Sequence, residues 1–220
     1  GGDVVINFLI ATLTQDYNEN VEMLKSGAID ITDIVATAAE IPEIEPLQLP
    51  YLYRDYDHMK KVLLGDIGKQ IAAKIEAKYP VKVMIWTDFG FRQFFTKTKP
   101  INRPEDLKGL KMRVMPSPAL VDTVNALGGS AISMSWGDFV SGLQQGVVDG
   151  GDLPVVNISS LKMWQYGVKY ASLSSHFFGQ SVVLMNRSSW NKLTKAEQDI
   201  LMDEFLKARE WIWQENDAAD

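Results

Sequence analysis

The 220-residue chain contains no cysteine. Disulfide staples, thiolate nucleophiles and cysteine-ligated zinc are therefore excluded, and either redox compartment is compatible. Histidine is scarce: only His58 and His176 are present, far apart in the chain. No H-E-x-x-H pair and no phosphate-loop glycine pattern occurs. No Ser–His–Asp or paired-carboxylate arrangement can be assembled from the spacing, so hydrolase chemistry has no support. No apolar run approaches the ~18 residues needed to cross a bilayer. Positive charge is not in excess: the formal net charge is −6, which argues against a general nucleic-acid or anionic-membrane role. No leader-type segment opens the sequence, and such a segment is expected to have been removed or to lie upstream.

What is present is an ordinary globular mixture. Hydrophobic residues make up 46% and charged residues 23%, enough for one large or two small domains. The most informative stretch runs from Leu107 to Asp152. Lys111–Met115 reads as an apolar strand with Arg113 in its middle. Ser117 is a natural N-cap, and Pro118 stands at the first helical position, where a missing N–H costs little. Leu120, Val121, Val124 and Leu127 keep helical spacing until Gly128-Gly129. Ala131–Met134 is the next strand, and Ser135 with Asp138 resembles a capping box. Phe139, Val140 and Leu143 form an apolar stripe that Gly146 ends, and Val147–Gly150 begins a third strand. This alternation implies parallel strands with crossover helices. Such sheets bind ligands beyond the carboxyl ends of their strands, where the strand order reverses.

The flanking segments are expected to extend the same architecture. Val4–Ile10 reads as a buried strand, Asn18–Lys25 as a short helix and Ala28–Ile31 as a further strand, together a parallel βαβ unit. Ile41–Tyr53 is proline-broken loop. Asp55 or Asp57 caps one helix that runs to about Lys78, with Val62, Ile67, Ile71 and Ile75 inward. Val81–Trp86 and Phe91–Thr96 read as two strands separated by a break over Thr87–Gly90. Val155–Tyr170 reads as helix, followed by strands over Tyr170–Ser174 and Gln180–Asn186. Thr194 and Glu197 form a capping box for a long helix reaching about Asn216. Its expected stripe is Ile200, Leu201, Phe205, Ala208, Trp211 and Ile212.

The central stretch resembles the DctP-type substrate-binding proteins of TRAP (tripartite ATP-independent periplasmic) transporters. The matching residues are Glu105-Asp106-Leu107-Lys108-Gly109-Leu110-Lys111-Met112-Arg113-Val114, then Leu127-Gly128, then Leu143-Gln144-Gln145-Gly146-Val147-Val148-Asp149-Gly150. Leu49-Pro50-Tyr51-Leu52-Tyr53 resembles a further family segment. The resemblance implies a two-lobed α/β fold with hinge-connected mixed and parallel sheets and a long bridging helix near the end. Lobe I is expected over 1–89 plus 179–220, and lobe II over 90–178. It also implies that an earlier strand and helix and a last segment of the family are missing here.

The same resemblance implies function. The protein is expected to be a periplasmic binder, not an enzyme, that captures a small organic acid and hands it to the membrane subunits of a transporter. No cofactor, no metal, no nucleic acid and no membrane insertion of its own are expected. Arg113 is expected to anchor the ligand carboxylate, and Arg92 to add a second contact or brace the hinge. A guanidinium suits either task because it is permanently charged and offers donors in a planar fork. Trp136 is expected as a wall of the cleft or as core, and Trp164 chiefly as core. Thr37 is expected among small polar residues lining lobe I. His176 matches a position where relatives carry histidine.

One departure bears on specificity. Many relatives carry Gln-Glu-Asn after Val-Asp-Gly, whereas this chain has Gly151-Asp152-Leu153. Leu153 cannot donate the hydrogen bond of the asparagine, which would favour a less polar acid, aromatic or branched. Asp152 is expected to orient Arg113 or to bind a ligand hydroxyl, and Asn157 to restore a polar contact. Two other readings fit the same residues. One is a sensor lobe binding the same ligand. The other is an enzyme holding an anionic substrate, with Asp149 or Asp152 as base.

Overall fold

Local rules set the central unit as the sequence suggests. In the computed structural model, strand β3 (Lys111–Val114) leads into helix α4 (Pro118–Ala126), strand β4 (Ser130–Ser133), helix α5 (Trp136–Gln145) and strand β5 (Gly150–Pro154). The Ser117 hydroxyl accepts from the Leu120 amide, and Ser135 accepts from Asp138. Gly146 closes α5 at φ 76°, a left-handed conformation open to glycine without steric cost. The third strand begins at Gly150 rather than Val147. Strand β3 pairs in parallel with β4 on one side and with β5 on the other. The chain order therefore reverses at β3. Phe139 and Leu143 of α5 are fully buried. Each contributes roughly 1.5–3 kcal/mol by leaving water, which pins α5 to the sheet.

The structure describes residues 4–8, 16–35 and 41–219. Around the central unit lie helix α1 (Tyr17–Ser26), strand β1 (Ile31–Val35), a 3₁₀ turn (Pro42–Gln48), helices α2 (Tyr56–Leu64) and α3 (Asp66–Lys78), and strand β2 (Val81–Thr96). Helix α6 (Val155–Ser160), a second 3₁₀ turn (Met163–Tyr166), strand β6 (Tyr170–Asn186) and helices α7 (Arg187–Lys192) and α8 (Lys195–Ala219) follow. The sheet is mixed, with six strands in the order β1-β6-β2-β5-β3-β4.

Several expectations give way to longer-range effects. Val4–Phe8 form no strand, and Val5 and Phe8 are 75% and 80% exposed; the rest of that run lies outside the described residues. Among the described residues β1 pairs only with β6, in antiparallel register, so no parallel βαβ unit forms there. An apolar run without a ladder partner has no route to a regular strand. The two strands expected over 81–96 are one. Its apparent break is a register shift between Asp88 and Phe91, where Gly90 takes φ 88° and donates its amide to Asp88 Oδ1 at 2.7 Å. Likewise β6 runs unbroken from Tyr170 to Asn186. The helix expected to end near Lys78 is two helices, divided at Gly65. Ile67 faces solvent at 55% exposure instead of the core. Glycine at position 68 allows the junction, because a Cβ there would stand 1.9 Å from the Leu63 carbonyl oxygen.

Helix α8 starts as expected. The Thr194 amide donates to Glu197 Oε2 at 2.6 Å, and the Glu197 amide donates to Thr194 Oγ1 at 3.3 Å. Leu201, Phe205 and Ile212 of the expected stripe pack against the core, but the rest of the buried face differs. Ile200 and Trp211 are 65% and 63% exposed, whereas Trp213 is completely buried. Helix α8 packs along β2, and the Asn216 amide group donates to the Asp88 carbonyl and carboxylate, both at 3.0 Å. The end of the helix is thus tied to the bulge of β2.

Candidate ligand-binding pocket

The carboxyl ends of β3 and β5, where the strand order reverses, border a cavity of about 180 Å³. Arg92, Arg113, Trp136, Leu153 and Asn157 all line it. Among the described residues, Val35, Phe89, Met115, Pro154 and Leu161 line it as well. Sequence reasoning had not singled these five out. Three of them offered a signal: Val35 ends β1, Met115 follows β3 and Pro154 ends β5, the places where open sheets present ligands.

Arg113 is 2% exposed although it carries a charge. Its Nε donates to the Met134 carbonyl at 3.1 Å, and its guanidinium lies 5.1 Å from the Phe139 ring centre and 5.9 Å from that of Trp136. The carbonyl fixes one edge of the fork, and the two rings hold its plane through cation–π attraction. Trp136 is half-buried at the first turn of α5. Leu153 is 5% exposed, on the last turn of the β5 pleat.

Arg92 sits beside it on β2, 4% exposed. Its Nε donates to Asp152 Oδ2 at 2.6 Å, and its Nη2 donates to the Asp152 main-chain carbonyl. Asp152 is thus the partner of Arg92, not of Arg113 as the sequence suggested. The antiparallel register explains the switch. Arg92 lies opposite Pro154 and Phe94 opposite Asp152, so the guanidinium reaches its carboxylate diagonally. His176 joins from β6, with Nε2 3.7 Å from Asp152 Oδ2 and Nδ1 2.8 Å from Ser174 Oγ. Its ring stacks on Phe94 at 3.7 Å. Burial works to raise the Asp152 pKa, but the Arg92 charge and the contacts of His176 and Arg92 outweigh it, holding the carboxyl well below its ordinary value.

The other candidates lie elsewhere. Thr37 falls outside the described residues. Trp164 is 56% exposed and does not reach the pocket, nor is it core. Asp149 accepts from the Lys111 amide at 2.8 Å, at the amino end of β3 and away from the cavity. His58 stays in the first turn of α2, where its amide donates to the capping Asp55. No group of three or more histidine or acidic residues that could hold a metal ion occurs among the described residues. No helix among them is long and apolar enough to cross a membrane.

The profile of the bacterial extracellular solute-binding proteins of family 7, DctP, matches residues 1–220. The chain belongs to that family. The C4-dicarboxylate-binding periplasmic protein DctP of Rhodobacter capsulatus is 33% identical over 180 residues, covering 80% of this chain and 53% of the relative. A TRAP periplasmic solute-binding protein from Xanthobacter autotrophicus Py2, solved with bound β-D-galacturonate, superposes with a TM-score of 0.89 at 30% identity. That match covers 99% of this chain and 73% of the other. A TRAP periplasmic solute-binding protein from Sulfurospirillum deleyianum with bound succinate superposes at 0.88, with 30% identity over 98% of this chain and 69% of the other. The chain spans little more than half the length of the Rhodobacter DctP relative. The mixed α/β architecture of the DctP family is thus the one found here.

Proposed function

We propose that this chain is the ligand-capturing part of a periplasmic solute-binding protein that delivers a small organic acid to the membrane subunits of a TRAP transporter. The observation that carries the reading is Arg113: a guanidinium 2% exposed, lining a pocket at the switch point of the sheet. A carboxylate entering there meets a fork that is already oriented and largely dry. The attraction is therefore stronger than at an exposed arginine. Family membership supports the same reading, since solved relatives hold galacturonate and succinate. Asp149 and Asp152 do not support an enzymatic role. One lies at the far end of β3, and the other is held ionised against Arg92.

The proposal includes two lobes, 1–89 with 179–220 and 90–178, closing over the acid by a hinge. The register shifts of β2 against β6 support a hinge at this point. So does the contact of Gly179 with Gly90, where a Cβ on Gly179 would stand 3.2 Å from the Gly90 carbonyl oxygen. A ligand favours closure only through contacts that it lacks in the open state. The test is tryptophan fluorescence, read through Trp136, titrated with organic acids and their neutral amides. Saturable quenching by an acid and not by its amide is expected. Arg113→Ala should weaken that acid by about thirtyfold or more, as for loss of one partner of a buried charged pair. A change smaller than twofold sinks the proposal.

A further inference from the structure

The charges and the wall of the pocket narrow the class of acid. We infer that the pocket selects a small monocarboxylate with an apolar body, and that Leu153 sets this preference. The inference rests on the carboxylate-binding reading above. Two guanidinium groups border the cavity, but Arg92 already has a counter-charge inside the protein, the Asp152 carboxylate at 2.6 Å. A second ligand carboxylate placed against Arg92 would meet a cation already engaged, with Asp152 repelling it from behind. Burying a charge without a partner is among the costliest events in a protein interior.

The rest of the described wall gives the ligand body little to bond. Val35, Phe89, Met115, Trp136, Leu153 and Leu161 present apolar faces, and Asn157 is the one uncharged polar side chain among the described residues of the wall. A polyhydroxylated acid would exchange water for carbon at most of its hydroxyls, and each unmatched hydroxyl weakens binding. At about 180 Å³ the cavity is also smaller than the roughly 300–1,000 Å³ usual for drug-sized ligands. Leu153 is the pivotal side chain. It sits 5% exposed between Asp152 and Pro154 on β5 and lines the cavity, where an isobutyl group offers apolar contact and no hydrogen bond.

Three acids with the same number of carbons separate the terms: pentanoate, pentanedioate and 2,3,4,5-tetrahydroxypentanoate, with pentanamide as control. Calorimetric titration of the purified protein is expected to show pentanoate binding about tenfold or more tighter than either other acid, with no binding of pentanamide. Leu153→Asn should cut the gap between pentanoate and the tetrahydroxy acid to about threefold or less. Leu153→Met, which keeps an apolar wall of similar volume, should preserve it. Circular dichroism confirms that each variant is folded. If the dianion or the tetrahydroxy acid binds as tightly as pentanoate while the amide does not bind, the apolar-monocarboxylate inference falls and the carboxylate reading stands. If the amide matches the acid, or if no acid binds, the carboxylate reading falls and takes this inference with it.

Discussion

Glu45 caps a helix far along the chain: its Oε1 accepts from the Ala119 amide at 2.9 Å and from the Ser117 hydroxyl at 3.0 Å. The 3₁₀ turn over Pro42–Gln48 thereby reaches the first turn of α4, which follows the strand carrying Arg113. The start of α4 is satisfied twice, by Ser117 within the loop and by a carboxylate from outside it. A negative group at this end is also favoured by the helix dipole.

Removing that carboxylate tests the link. Glu45→Ala should lower stability by about 1–2 kcal/mol, the range for loss of a helix cap. Glu45→Gln keeps an acceptor and should lose less. Urea midpoints with unchanged slopes would report this. Equal stability of the wild type and the Ala variant would show that Glu45 contributes nothing at α4.

The Arg92–Asp152 pair makes a prediction in pH. The folded-state pKa of Asp152 lies below its ordinary value of 3.8. Its ionisation therefore stabilises the fold fully above about pH 5, and the contribution fades as pH falls through 3.8 toward the folded pKa. Asp152→Asn leaves Arg92 buried without its counter-charge and should cost about 3–5 kcal/mol at neutral pH. The gap between wild type and variant should stay level above pH 5 and close as acid is added. A gap that is flat down to pH 2 contradicts the assignment.

Helix α8 separates two tryptophans by burial. Trp213 is wholly buried, with the guanidinium of Arg209 4.9 Å from its ring centre and the ammonium of Lys60 5.9 Å away. Trp213→Ala should cost about 3–5 kcal/mol. Trp211→Ala, at an exposed position, should stay within about 0.5 kcal/mol of wild type. Thermal unfolding of the two variants side by side distinguishes this packing from the reverse.

The junction of α2 and α3 gives a steric test. A Cβ at position 68 would meet the Leu63 carbonyl at 1.9 Å, and backbone must move to make room. Gly68→Ala should therefore destabilise by about 1–3 kcal/mol, despite alanine's better helix propensity. A stabilised Gly68→Ala protein would mean that α2 and α3 do not meet at this angle.

The features legible in the sequence were those written within a few residues. Ser117 with Pro118, Ser135 with Asp138, and Thr194 with Glu197 each announce a helix start by local hydrogen bonding, and each starts one. The crossover pattern from Lys111 to Pro154 was readable for the same reason, and with it the strand ends that frame the pocket. What escaped depends on partners distant in sequence. Gly90 looks like a strand break, but with β6 alongside it becomes a bulge in a continuous ladder. Asp152 could not be matched to Arg92 without knowing that β2 and β5 lie side by side. The apolar spacing of α8 found Leu201, Phe205 and Ile212, but that Trp213 and not Trp211 turns inward was decided by what lies against the helix. Val4–Phe8 had the composition of a strand and no neighbour to pair with among the described residues.

The pairing of β2 with β6 also orders events in time. Val81 lies opposite Asn186 and Thr96 opposite Tyr170, so this ladder joins segments that leave the ribosome far apart. The whole β3-α4-β4-α5-β5 unit is made between them, from contacts much closer in sequence. Closing short loops before long ones loses less chain entropy. The unit that carries Arg113, Trp136 and Leu153 is therefore expected to take shape first, with the two long strands zipping last around it. Pulsed hydrogen exchange during refolding should protect Met112 and Val114 before Val83 and Leu184.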